Sequence, residues 1–192
     1  MIKYLTSNEI IDWEETSIIE LAKNFYSKSK EIIAKKCFEW VRDQIKHSYD
    51  FKLNPVTYKA SDVLKFKTGY CFAKSHLLVA LLRANGIPSG LCYQRLIKDN
   101  TNGQYCLHGL TAIYLEKYGW YRVDPRGNKK GIDAQFNPPE EMLAFKICNN
   151  YEADLQEIWA NPLHEVIDVL KNSKTYIDVY NNLPDVELIK NI

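Results

Sequence analysis

The sequence predicts an α+β domain, with helices at both ends and an antiparallel sheet between them. Three observations lead to that class. Apolar residues recur at helical spacing in the first third, at Ile32, Ile33, Phe38, Val41 and Ile45. The period switches to two between Leu91 and Asp124. Between these regions a helix starts at Cys71 and stops at Gly86, and its C-terminal half is apolar on every face, which marks a helix buried at the centre.

Each element has local reasons. Ser17-Ile18-Ile19-Glu20 has the form of a capping box opening a helix to about Tyr26, and a second helix is expected from about Lys30 to Lys46. Asn54-Pro55 interrupts the pattern before a short helix from Ser61 to Phe66. Strands follow over Leu91–Ile97, Leu107–Leu115 and Gly119–Asp124, the first two joined by a polar loop from Lys98 to Gln104. The turn Pro125-Arg126-Gly127 ends the hairpin, and a further strand is expected near Ile132 to Phe136. Asn161-Pro162 reads as an N-cap with proline at N1 for a helix carrying Leu163, Val166, Ile167 and Leu170, and a last short helix begins near Ser173. With no repeat, low-complexity tract or flexible linker, residues 1–192 are read as one domain: a helical part to 60, a core over 61–136 and a helical extension over 137–192.

Composition excludes several classes. The 192 residues are 46% hydrophobic and 26% charged, as in a soluble globular protein rather than a disordered chain. The longest wholly apolar run, Leu77 to Leu82, is far short of the roughly 20 residues of a membrane span. A net charge of +1 gives no excess for a nucleic-acid partner. Five cysteines, odd in number and without a CxxC pair, argue against a complete disulfide framework. A reducing compartment fits that cysteine usage, so the expected location is the cytoplasm, and the N-terminus carries no secretory h-region.

A cysteine attacks as thiolate, and a helix N-terminus stabilises that anion through its unpaired N–H groups and dipole. Cys71 holds that position. A base must reach it, and a carboxylate must orient the base; His108 and Asp124, on the two strands that follow, are the candidates. Their separation is even, so they share a face of one hairpin. They stand directly opposite if the connection centres near Glu116, whereas the visible turn, Lys117-Tyr118-Gly119, offsets them and calls for a bulge or strong twist.

The segment GYCFAKSHLLVALLRANGIPSG, Gly69 to Gly90, resembles the transglutaminase-like superfamily, whose signature sets a cysteine after a glycine at the head of a helix ending in LLRaxGIPa. His108-Gly109 through Leu115, then Gly119-Trp120-Tyr121-Arg122-Val123-Asp124-Pro125, is similar to that family's histidine strand and its G-W-x-x-x-D-P strand. The resemblance is close from about Cys37 to Asn150, and FNPPEEMLAF at Phe136–Phe145 is similar to a bacterial cysteine-protease-like subgroup. It implies a papain-like, transglutaminase-core fold, with Cys71 as nucleophile, His108 as base and Asp124 as orienting acid. It also implies acyl transfer on amide bonds of a peptide, protein or small amide, with hydrolysis favoured over transamidation or deamidation of glutamine. No metal or organic cofactor is expected, and although some branches use calcium, no EF-hand-type loop is present. The chain departs from the family at Leu110, where an aromatic is usual, and at Ala112, where an acid is usual, so an unusual local pocket is expected. Beyond the Cys71 N–H, the candidates for an oxyanion donor are Trp40, Gln44 and Gln94.

Other readings stand beside this one. Cys71 could be a small buried hydrophobe, and the fold could serve as a non-catalytic binding module. Cys106 and His108, at i and i+2, could ligate zinc with Cys71 or His76, although a metal would consume the nucleophile. His76 is expected to be structural, Cys37, Cys92 and Cys148 to be core or half-buried, and His47 and His164 to be exposed. Trp120 and Tyr121 read as packing residues, and Glu152, Asp154 and Glu157 as a solvated face. Oligomeric state is not legible from the sequence.

Overall fold

A computed structural model of the chain describes residues 1–98 and 103–186. After a 3₁₀ turn at Ile2–Tyr4 come α1 (Thr16–Lys23), α2 (Lys30–Gln44), β1 (Lys46–His47), α3 (Ser48–Phe51), α4 (Ala60–Phe66), β2 (Thr68–Gly69) and α5 (Cys71–Ala84). The sheet follows with β3 (Ser89–Ile97), β4 (Tyr105–Leu115) and β5 (Gly119–Val123), then β6 (Gln135–Asn137), β7 (Glu140–Met142) and β8 (Ala153–Asp154). Two helices, α6 (His164–Asn172) and α7 (Tyr176–Asn181), complete the described chain. The α+β class expected from the sequence is the one observed. Part of the expected Lys98–Gln104 loop, residues 99–102, lies outside the described residues.

The centre is α5. Every residue from Cys71 to Arg83 is buried, as a helix apolar on all faces requires. Gly86 adopts φ +67°, and the Ile87 N–H returns to the Leu82 carbonyl, closing the helix as its C′ glycine predicts. Burial of Leu77, Leu78, Leu81 and Leu82, all at 0% exposure, stabilises the fold by about 1.5–3 kcal/mol each. The Arg83 guanidinium is buried with them and donates to the carbonyls of Thr6, Ser89 and Ala160, joining the N-terminal segment and the segment before α6 to this helix.

The main sheet is antiparallel in the order β5-β4-β3-β8. Alternation along β4 turns Leu107, Gly109 and Ile113 toward α5 and His108, Leu110 and Ala112 to the opposite face. At Gly109 β4 lies tight against α5: a Cβ there would lie 3.1 Å from the Phe72 Cα and 2.8 Å from its ring. The β4–β5 ladder runs from Thr111↔Val123 to Leu115↔Gly119, so β4 continues toward Tyr105 with no strand paired to that edge among the described residues.

Several boundaries differ from expectation. Glu15 caps α1 without a side-chain bond and Ser17 already lies inside the helix, so the expected capping box does not form. α2 stops at Gln44 because Lys46–His47 leaves to pair in parallel with Thr68–Gly69. α6 begins after Leu163 rather than at Asn161, whose side chain instead accepts from Asn8. α7 starts at Tyr176, capped reciprocally by Thr175 and Asp178.

Candidate active site

Cys71 is the first residue of α5 and is 6% exposed. No side chain caps this helix, so none competes for the N–H groups of its first turn. The neighbouring strand supplies one more donor: the Gly109 N–H donates to the Cys71 sulfur at 3.4 Å. That approach exists because residue 109 has no side chain.

His108 and Asp124 lie on the face of the sheet away from α5, and the imidazole Nε2 is 2.7 Å from Asp124 Oδ2. A carboxylate only accepts, so Nε2 carries the proton and Nδ1 is left for the thiol side. The ladder centres on Lys117, as the visible turn indicated. The expected offset is therefore real, but no bulge is needed. β5 ends at Val123, and Asp124, one residue beyond, meets the imidazole on the diagonal, within reach of a long side chain. Asp124 is fully buried, with Oδ1 accepting from the Arg126 N–H and Oδ2 from the Ala144 N–H.

Burial disfavours charge on His108, yet the Asp124 carboxylate and the Cys71 sulfur outweigh it and raise the imidazole to about 10. Burial likewise opposes ionisation of Asp124, but His108 and the two backbone donors lower it. Each partner therefore holds the other charged. The Phe145 ring stands edge-on to His108, with centroids 4.9 Å apart, and Arg126 lies over that ring.

Cys71 and His108 open onto one cleft of about 880 Å³. Tyr49, Tyr70, Leu107, Leu143, Phe145 and Tyr180 give it aromatic and aliphatic walls. His47, expected to be exposed, is buried in the same wall with its ring against Tyr70. The β1–β2 pairing sets it level with Gly69, two residues before Cys71. Burial, then the charge of Arg126, lowers His47 well below the ordinary imidazole value, so it is neutral. Asp50 faces it and also pairs with Arg126 and Lys129, tying α3 to the loop after Asp124.

The three side-chain oxyanion candidates do not line the cleft. Trp40 packs beside Phe25 under Lys67, Gln44 is exposed, and Gln94 donates to Asp154. Leu110 and Ala112 also sit away from it, in a small apolar cluster with Cys92 covered by Trp120, Leu143 and Ile158. The departures at these two positions therefore alter packing rather than the cleft.

Elsewhere, Cys148 is exposed, whereas Cys37 and Cys92 are buried. Glu152 is buried and accepts from the Ile97 and Cys148 N–H groups, and Asp154 pairs with Arg122, so neither belongs to a solvated face. His76 is buried with Nδ1 2.7 Å from the Tyr58 carbonyl. His164 is exposed as expected. Tyr121 and Trp120 pack, the first bonding to Glu140 and Asn137 and the second against Tyr4 and Tyr114. Among the described residues no three His, Cys, Asp or Glu side chains cluster as a metal ion requires, and no helix is long and apolar enough to cross a membrane.

A solved structure shares this fold. The solved structure of the "Putative Cysteine Protease" from Cytophaga hutchinsonii aligns with a TM-score of 0.51 at 19% identity, over 65% of this chain and 41% of that one. The periplasmic domain of TgpA from Pseudomonas aeruginosa aligns with a TM-score of 0.45 at 17% identity, over 64% and 46%. Among curated sequences, ketol-acid reductoisomerase (NADP(+)) of Buchnera aphidicola subsp. Schizaphis graminum (strain Sg) is 27% identical over 95 residues, 48% of this chain and 18% of that protein. The chain thus spans about two fifths of the Cytophaga protein and under a fifth of the reductoisomerase. The model of the transglutaminase-like superfamily matches residues 19–125, more than half of the sequence, and with it the chain belongs to that superfamily.

Proposed function

We propose that the protein is a cysteine-dependent acyl-transfer enzyme acting on amide bonds, with Cys71, His108 and Asp124 as its triad and water as the usual acceptor. One observation carries the reading: a helix-head cysteine and a carboxylate-bound histidine, with Nε2 2.7 Å from Asp124, line the same cleft. The Cys71 thiolate attacks the amide carbonyl, forming a C–S bond, while its own backbone N–H helps hold the oxyanion. As the intermediate collapses, the C–N bond breaks and the amine leaves with the His108 proton, giving a thioester. Water then yields a proton to His108 and attacks the thioester, releasing a carboxylic acid and restoring the thiolate. A primary amine in place of water would make the same site a transglutaminase.

Free thiols at all five cysteines suit a reducing compartment, and the cytoplasm is the proposed location. The reductoisomerase match does not favour hydride chemistry here, since the sequence contains no G-x-G-x-x-G fingerprint.

The test is the rate of iodoacetamide labelling of each cysteine from pH 5 to 9, in the wild type and in His108→Ala, read by peptide mass spectrometry. Fast labelling of Cys71 at low pH, lost in the variant, is the expected result. Labelling no faster than that of exposed Cys148 would overturn the enzyme reading and favour a binding module. A glutamine-containing peptide with a labelled amine then separates hydrolysis from transfer.

A further inference from the structure

Along β4 the backbone groups of Leu107, Gly109 and Thr111 all point away from β3. Their partners across the ladder show this, because Tyr93 and Leu91 turn their own carbonyls or amides to the other side, toward Leu155 and Trp159. What meets these three residues differs in turn. Thr111 faces β5, and the Gly109 N–H donates to the Cys71 sulfur. The Leu107 N–H donates to the Pro184 carbonyl at 2.7 Å. The nucleophile thus sits in a gap on one sheet edge, between the end of β5 and the segment that follows α7.

That segment is held at several points. Arg95 makes a two-pronged ion pair with Asp185, at 2.7 Å on each side. The helix before it, α7, is anchored as well: the Tyr70 hydroxyl donates to the Tyr176 carbonyl, and Tyr180 stacks on Tyr49. Tyr180 and Leu183 line the cleft itself, and Pro184 is buried. The segment nevertheless fills its place incompletely. Proline has no N–H, so Pro184 accepts from the edge and returns nothing to it. A residue with an N–H could offer the edge both a donor and an acceptor.

We propose that the edge of β4 at Leu107–Gly109 is the docking site for the extended main chain of a peptide substrate, and that Leu183–Val186 occupies it as a displaceable strap. This rests on the acyl-transfer reading and adds to it a docking edge and a form of self-occlusion. Two residues along a strand span about 6.8 Å, so a peptide paired at Leu107 lies within one or two residues of the Cys71 sulfur.

Asp185→Arg sets a cation against Arg95 and loosens the strap while leaving the triad unchanged. Two reagents are compared on each protein: iodoacetamide, which needs only the thiolate, and a tripeptidyl chloromethyl ketone, which must also dock a main chain. In the variant, Cys71 labelling by the peptidyl reagent should rise about fivefold, the scale of one well-aligned ion pair, with iodoacetamide labelling unchanged. An unchanged or lower peptidyl rate overturns the proposal. Hydrogen exchange gives a readout that does not need a reactive thiol. The Leu107 amide should exchange faster in Asp185→Arg than in the wild type, and an unreactive tripeptide amide should slow it again in the variant alone. If Cys71 fails the iodoacetamide test, the enzyme reading falls while this exchange result still decides the docking edge. Absence of peptide protection in the variant overturns that edge as a peptide site.

Discussion

The Gly109 amide donates to the Cys71 sulfur at 3.4 Å because no side chain separates the strand from the head of the helix. A Cβ at this position would meet the Phe72 Cα at 3.1 Å and its amide nitrogen at 3.2 Å, and backbone cannot swing away as a flexible side chain can. Gly109→Ala should therefore cost about 1–3 kcal/mol of stability, as overpacking does, and push β4 off α5. Cys71 alkylation at pH 6 should fall several-fold even in the fraction that remains folded. A variant with wild-type alkylation and a wild-type melting temperature would refute the close approach.

The mutual charging of His108 and Asp124 gives stability a definite pH profile. His108 is raised from 6.5 to about 10, so its contribution is complete below pH 6.5 and is lost as pH rises toward 10. Asp124 is lowered, so its contribution is present above the ordinary carboxylate range and is lost as pH falls through its folded value. His108→Gln should be less stable than the wild type at pH 6, with the difference narrowing by pH 10. Thermal melts at pH 6, 8 and 10 check this, and a difference constant with pH would contradict it.

Much of this arrangement could be read from the sequence, and its gaps have physical causes. The helix from Cys71 to Gly86 and the hairpin carrying His108 are local patterns: an apolar run with its stop, and alternation with its turn. His47 reads as exposed in the sequence because its burial comes from a two-residue parallel pairing with Thr68–Gly69, a long-range contact that leaves no periodic trace. Glu152 and Asp154 look solvated in sequence because their partners, the Ile97 and Cys148 amides and the Arg122 guanidinium, reach them only through the fold. Ser17 has the form of a capping-box N-cap, but the chain enters α1 two residues earlier, with Glu15 at the cap and Thr16 as the first helical residue. The contact of residues after α7 with β4 leaves no trace in the sequence for the same reason, since one hydrogen bond from Leu107 to Pro184 has no pattern to announce it.

His76 tests the acid side of the profile. Burial lowers its imidazole to about 4, only partly offset by the bond to the Tyr58 carbonyl. The unfolded chain therefore takes up a proton near pH 6.5 that the folded chain refuses until about 4, and stability falls across that window as pH drops. His76→Leu removes this loss but leaves the Tyr58 carbonyl without its partner, at a cost of about 1–3 kcal/mol at neutral pH. The variant should be the weaker protein at pH 7.5 and should lose less stability on acidification to pH 4.5. Urea titrations at the two pH values measure both effects, and parallel losses in the two proteins would contradict the neutral, buried state.

Arg83 tests whether the chain behaves as one cooperative unit. It lies near the end of α5, and its guanidinium donates to Ser89 at the start of β3, to Thr6 near the N-terminus and to Ala160 before α6. Burial lowers the guanidinium to about 10, yet it stays charged at neutral pH and fills donor demand from three segments at once. Arg83→Met keeps much of the volume and strands those carbonyls, so it should cost several kcal/mol, at or beyond about 3. If residues from both ends share one core, the loss appears as a shift of a single transition, with the urea slope unchanged. Two separated transitions, with only the one involving Thr6 or Ala160 displaced, would mean that a flank folds independently of the α5 core and that the single-domain reading is wrong.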